Sequence, residues 1–158
     1  MGWRQIDLVS RNSFSETGHA MSERIVIAKA ADIAPGKSLK VVAKGRNLVV
    51  FNVSGEYFAL FDRCPHEGAA LSAGQVIGLA QSDTPGEYRL CRAGEFVRCP
   101  WHGWEFEIRT GQSYCGPHRY QTKKYEVLVE SGAELVKGPY KAETISVDVE
   151  GAYLVVSM

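Results

Sequence analysis

Two short stretches concentrate the metal-binding chemistry of this 158-residue chain: Cys64-Pro65-His66-Glu67-Gly68-Ala69 and Cys99-Pro100-Trp101-His102-Gly103-Trp104. Each offers one thiolate and one imidazole, at the spacings Cys-x-His and Cys-x-x-His. Together they use two of the four cysteines and two of the four histidines. Two sulfur and two imidazole ligands make a four-ligand set, which a structural zinc ion can satisfy. Zinc fingers, however, pair Cys with Cys and His with His, whereas here each stretch supplies one of each. The mixture also suits a centre with two unlike metal positions, one taking both thiolates and the other both imidazoles. The flanks fit either kind of ligand loop. Gly68 and Gly103 let backbone come close to a bound group, and Pro65 and Pro100 stiffen each turn.

Both stretches follow predicted strands. Ile25–Ile27, Leu39–Ala43, Leu48–Val53 and Tyr57–Phe61 are runs of β-branched and aromatic residues. Gly36, Gly45-Arg46-Asn47 and Ser54-Gly55 punctuate them as turns. Later runs are Glu95–Arg98, Glu105–Ile108, Tyr125–Val129, Ile145–Val149 and Tyr153–Val156, with period-2 alternation in Tyr125-Glu126-Val127 and Val147-Asp148-Val149. A single short helical piece is expected around Ala30–Ile33, stopped by Pro35. The expected fold is all-β, a sandwich or small barrel of antiparallel strands.

The length fits one domain. Eighteen basic residues balance eighteen acidic ones, which argues against a nucleic-acid or anionic-membrane binder. Apolar runs fall far short of the roughly 20 residues that span a bilayer. The first twenty residues lack the apolar stretch of a secretory signal. A soluble, cytoplasmic protein is therefore expected. Residues 1–20 read as a polar extension ahead of a start at Met21, or else as an extra strand packing through Trp3, Ile6 and Leu8; residues 21–158 form the domain.

The two ligand stretches resemble the C-P-H-x-G-A and C-P-W-H-G-W-x-F motifs of bacterial Rieske ferredoxins and ring-hydroxylating oxygenases. Cys115-Gly116-Pro117 stands where that family has a proline-bearing third loop. The resemblance implies one [2Fe–2S] cluster, with Cys64 and Cys99 on one iron and His66 and His102 on the other. It implies a Rieske-type sandwich or barrel with a small inserted cluster-binding subdomain, about residues 62–119. High-potential relatives carry a second cysteine in each loop, where this chain has Ala69 and Trp101. They also carry sulfur-bonding hydroxyls where it has Trp104 and Phe106. By that resemblance the potential lies in the lower part of the Rieske range of about −150 to +300 mV.

Two departures stand out. Glu67 replaces an arginine common in oxygenases, either lowering the potential further or standing solvated in its loop. Thirty-two residues separate His66 from Cys99, about twice the family's habit. The surplus, about residues 81–94 around Asp83-Thr84-Pro85-Gly86, reads as a projecting hairpin, either a partner-docking feature or a tolerated insertion. Cys91 and Cys115 match no ligand position and read as buried small hydrophobes rather than a disulfide. His19 reads as tail, His118 as a surface residue.

The implied function is a one-electron carrier between a flavin-containing NAD(P)H reductase and a terminal oxygenase, not an enzyme. The alternative is a Rieske accessory subunit of a multicomponent oxygenase or reductase. A self-contained oxygenase needs two more histidines and a carboxylate for a mononuclear iron, and only His19 and His118 remain. A quinol-oxidase subunit is opposed by the missing anchor and missing disulfide cysteines.

Overall fold

The computed structural model describes residues 23–115, 120–137 and 150–158. The expected strand Ile145–Val149, residues 1–20, His19 and His118 lie outside them. Ten strands follow in chain order: β1 (Arg24–Lys29), β2 (Ser38–Ala43), β3 (Arg46–Val53), β4 (Glu56–Phe61), β5 (Gln75–Thr84), β6 (Glu87–Arg98), β7 (Glu105–Glu107), β8 (Lys124–Tyr125), β9 (Val127–Ser131) and β10 (Ala152–Ser157). They form three antiparallel sheets, in the orders β1-β10-β9, β2-β3-β4-β8 and β5-β6-β7. The all-β reading of the sequence is what the chain adopts. Among the described residues no helix is long and apolar enough to cross a membrane.

β3 occupies the middle. Its run Leu48–Val53 is buried throughout, the pattern of a strand covered on both faces. Leu48 and Val50 enter a core with Ile25, Val41, Leu154 and Val156, between the first two sheets. Val49, Phe51 and Val53 enter a second core with Leu60, Leu71, Val97 and Phe106. Cys64 and Cys99 belong to that second core, so the ligand loops are seated on the back of β3. Asn52, the one polar residue in the run, is satisfied: its Nδ2 donates to the Ile33 carbonyl at 2.7 Å and its Oδ1 accepts from Gly55 N–H at 2.8 Å.

The expected strand Tyr125–Val129 is two strands. Tyr125 pairs with Ala59 of β4, while Val127–Ser131 pairs with β10. Tyr125 and Val127 both pack on the first core, so the run keeps one apolar face while the chain turns a corner between sheets. The expected helical piece is a 3-10 turn over Ala30–Asp32. A short helix, α1 (Gly132–Lys137), was not expected. Ser131 and Glu134 explain it. The Glu134 carboxylate accepts from Ser131 Oγ at 2.9 Å and from its N–H at 3.3 Å, and Ser131 Oγ accepts from Glu134 N–H at 3.4 Å. That reciprocal pairing is a capping box.

The segment between the ligand loops folds as a long hairpin, β5 to β6, turning at Pro85-Gly86 with Gly86 at φ +88°. Residues 80–90 are exposed, and β7 covers only Phe96–Arg98 at the base.

Candidate metal centre

The two ligand loops are the same backbone turn. Cys64 N–H donates to the Ala69 carbonyl at 2.7 Å, and Gly68 N–H to the Cys64 carbonyl at 2.8 Å. In the second loop Cys99 N–H donates to the Trp104 carbonyl at 2.7 Å, and Gly103 N–H to that of Cys99 at 3.1 Å. The fifth residue takes a left-handed φ in each, +89° at Gly68 and +72° at Gly103, which favours glycine. At Gly103 an added Cβ would meet no protein atom within 4 Å, so its conformation alone accounts for the glycine. In this shared turn the third position holds His66 or Trp101 and the fourth holds Glu67 or His102.

Each loop is closed at its neck by polar contacts. The buried Asp62 accepts from Ser72 N–H at 2.6 Å and Ser72 Oγ at 2.7 Å, bracketing the first loop. Arg98 donates to Glu105 through Nη2 at 2.8 Å and Nε at 3.1 Å, bracketing the second. Gly74 joins the two, because a Cβ there would overlap the Arg98 carbonyl oxygen.

The turns bring the candidate ligands together in two pairs, thiol with thiol and imidazole with imidazole. Cys64 and Cys99 are each 2% exposed and unbridged. Burial pushes the Cys64 thiol above its ordinary range, and the adjacent Cys99 thiol adds to this. The backbone N–H groups of His66 and Glu67 work the other way. His66 and His102 meet edge to face, with ring centroids 4.9 Å apart. His66 is enclosed: Trp104 lies 5.2 Å and Tyr120 5.6 Å from its ring, and those two rings touch each other at 4.6 Å. Its Nδ1 is buried without a hydrogen-bond partner, an expensive arrangement unless that nitrogen holds a metal. His102 has a side chain 44% exposed, with its Nε2 3.5 Å from the Glu67 carboxylate.

These donors fit a cluster better than a single ion. One donor atom from each of His66, Glu67 and His102 lies within 4.8 Å of the others, and the thiols are outside that group. The set therefore divides into a sulfur pair and an imidazole pair. A single tetrahedral zinc ion would require all four to close on one point.

Sequence reasoning passed over two contributors, Tyr120 and Asp62. Tyr120, beyond the third loop, completes the cage on His66; its only signal is an aromatic residue near Cys115-Gly116-Pro117. Asp62 had no signal beyond its place two residues before Cys64. Glu67, already singled out from the sequence, reaches the opposite loop while its side chain stays 56% exposed. Trp101 is 62% exposed at the tip, whereas Phe106 is fully buried. Cys91 is half-buried, its thiol donating to the Leu79 carbonyl at 3.2 Å. Cys115, expected to be buried, is exposed, because the chain there leaves the Ser113 bridge for the surface. A groove of about 430 Å³ lined by Val76, Ile77, Ala80, Leu90 and Ala93 runs along the hairpin, and none of the four candidate ligands lines it.

Known proteins are similar to this chain. The Rieske [2Fe-2S] domain family matches residues 23–126. The 3-phenylpropionate/cinnamic acid dioxygenase ferredoxin subunit of Escherichia coli strain K12 is 31% identical over 109 residues, covering 69% of this chain and 88% of that one. The ferredoxin component of the p-cumate 2,3-dioxygenase system of Pseudomonas putida is 29% identical over 113 residues, covering 71% and 83%. Among solved structures, the Sphingomonas yanoikuyae B1 ferredoxin is similar with a TM-score of 0.53 at 28% identity, covering 68% of this chain and 91% of that one. The matched span holds both ligand turns, the cage around His66 and the strand on which they sit, and the chain belongs to the Rieske [2Fe-2S] family, whose domain carries a single cluster of that type.

Proposed function

We propose that this protein is a Rieske-type ferredoxin, a soluble cytoplasmic carrier of one electron from a flavin NAD(P)H reductase to a terminal ring-hydroxylating dioxygenase. Cys64 and Cys99 hold one iron of the cluster, and His66 and His102 hold the other. Residues 62–119 act as the cluster-binding subdomain, and residues 1–20 as an extension ahead of the domain. The bound cluster supplies reversible one-electron chemistry. The chain's own contribution is burial of the sulfur side on the core of β3, enclosure of His66, and an exposed imidazole edge at His102. The observation that carries the reading is the orphaned Nδ1 of His66 beside a buried, unbridged thiol pair. The relatives that match are named as ferredoxin parts of dioxygenase systems, which supports the oxygenase as electron acceptor.

The purified protein is expected to contain iron and sulfide in equal amounts and to give a rhombic electron paramagnetic resonance signal once reduced. His66→Cys should move that signal toward an all-cysteine cluster or abolish it. Reduction by a flavoprotein reductase, with reoxidation by an oxygenase during turnover, completes the test. Zinc in place of iron would overturn the cofactor assignment. Obligate co-purification with an enzyme would overturn the free carrier in favour of an accessory subunit.

A further inference from the structure

The two ligand loops being one turn used twice has a consequence at the fourth position. His66 stands third in its loop and His102 fourth in the other, so the fourth place of the first loop goes to a residue that is not a ligand, Glu67. The Glu67 carboxylate lies 3.5 Å from His102 Nε2, and Glu67 belongs to the same donor group as both histidines. Backbone closure and the φ values of Gly68 and Gly103 bring the two loop backbones into the same turn, and the Glu67 side chain spans the gap between them.

We propose that Glu67 is a positioning residue for His102, orienting its imidazole across the loop gap and lowering the cluster's midpoint potential. The inference rests on the ferredoxin reading above. Metal-bound imidazoles commonly hand their second ring N–H to a carboxylate, which fixes the ring and makes it a more electron-rich ligand. With Nε2 turned to Glu67, Nδ1 is the nitrogen left for iron, matching the nitrogen left unpartnered on His66. The sign of the effect follows from charge. Reduction adds one negative charge to the centre, and a carboxylate against one of its ligands opposes that addition. The oxidised form is favoured and the potential falls. Both side chains are about half exposed, so water and salt screen the effect to a modest size. His66 also has Glu67 in its donor group, within 4.8 Å, but its ring is packed between Trp104 and Tyr120 and only His102 is within ion-pair distance of the carboxylate. The two imidazoles therefore differ in burial, and the exposed one makes the shorter contact with the carboxylate.

The experiment is a redox titration of the iron-loaded protein by visible absorbance, comparing Glu67→Gln, Glu67→Ala and Glu67→Asp with the native chain. Asp83→Asn is the control, changing net charge equally at the far end of the hairpin, where Asp83 pairs with Arg89. Glu67→Gln and Glu67→Ala are expected to raise the reduced-to-oxidised ratio at fixed potential by about threefold or more, a tenfold change being about 59 mV for one electron. Glu67→Asp should recover part of the native value, and Asp83→Asn should leave it unchanged. An unchanged potential in Glu67→Gln and Glu67→Ala, or an equal shift in Asp83→Asn, overturns the proposal. Loss of the cluster from both neutral variants but not from Glu67→Asp also overturns it, since Glu67 would then serve assembly. Absence of iron, sulfide and the rhombic signal from the native protein would instead mark failure of the ferredoxin reading itself.

Discussion

Gly74 lies at the junction of the two ligand loops, with the Arg98 carbonyl where a side chain would begin. Even a methyl group there must push Arg98, and with it the neighbouring Cys99, out of place. Gly74→Ala is therefore expected to destabilise the protein by about 1–3 kcal/mol, as overpacking does, and to lower bound iron. Thermal unfolding and an iron assay check both, and full iron content in a stable variant would contradict it. At this scale the sequence pointed to the four candidate ligands, because Cys and His at tight spacing have few other uses. The partners of those ligands were not legible. Tyr120 reaches His66 from 54 positions along the chain, and Glu67 meets His102 across the gap between two loops. Neither relation is a spacing.

Among the elements, the β5–β6 hairpin is held at its base through Arg92, one of three non-glycine residues with a left-handed φ among those described. Its guanidinium reaches Glu95, Glu107 on β7 and the Tyr114 hydroxyl, and lies over the Phe96 ring at 4.8 Å. Burial works to raise the Glu107 carboxyl, but hydrogen bonds from Thr110 and Arg92 outweigh it and hold the group below its ordinary range. A lowered carboxyl contributes stability that is present above its unfolded value, about 4.3. That stability is lost as pH falls through the folded value. Glu107→Gln is thus expected to melt below the native protein at neutral pH, with the gap narrowing below about pH 4.5. Melting temperature followed against pH tests this, and a constant gap would refute it. The sequence indicated a hairpin through Asp83-Thr84-Pro85-Gly86, because turn chemistry is local. It did not indicate the hairpin's length, since residues 80–90 carry few apolar side chains and are exposed. The capping box at Ser131 and Glu134 has the pattern S-x-x-E, four residues with no apolar run of their own, between the expected strands Tyr125–Val129 and Ile145–Val149.

For the molecule as a whole, charge is balanced, and Trp101, His102 and Glu67 are exposed together on the two ligand loops. The fold class was readable because runs such as Leu48–Val53 are too short and too β-branched for buried helices. The division into three sheets was not readable, because Tyr125–Val129 changes partners without breaking its pattern. β3, walled by a core on each face, also couples parts that never touch. Val50 faces away from the ligand loops, in the core between the first two sheets, while its neighbours Val49 and Phe51 support the loops. Val50→Ala, losing about 1–3 kcal/mol as cavity-forming core changes do, should lower the temperature at which the visible colour bleaches as much as that at which far-ultraviolet ellipticity is lost. Bleaching that stays at the native temperature would show the two halves melting separately. The iron centre and the sheet behind it then share one thermal fate, and heat resistance of the colour can be engineered from the side of the molecule that never sees iron.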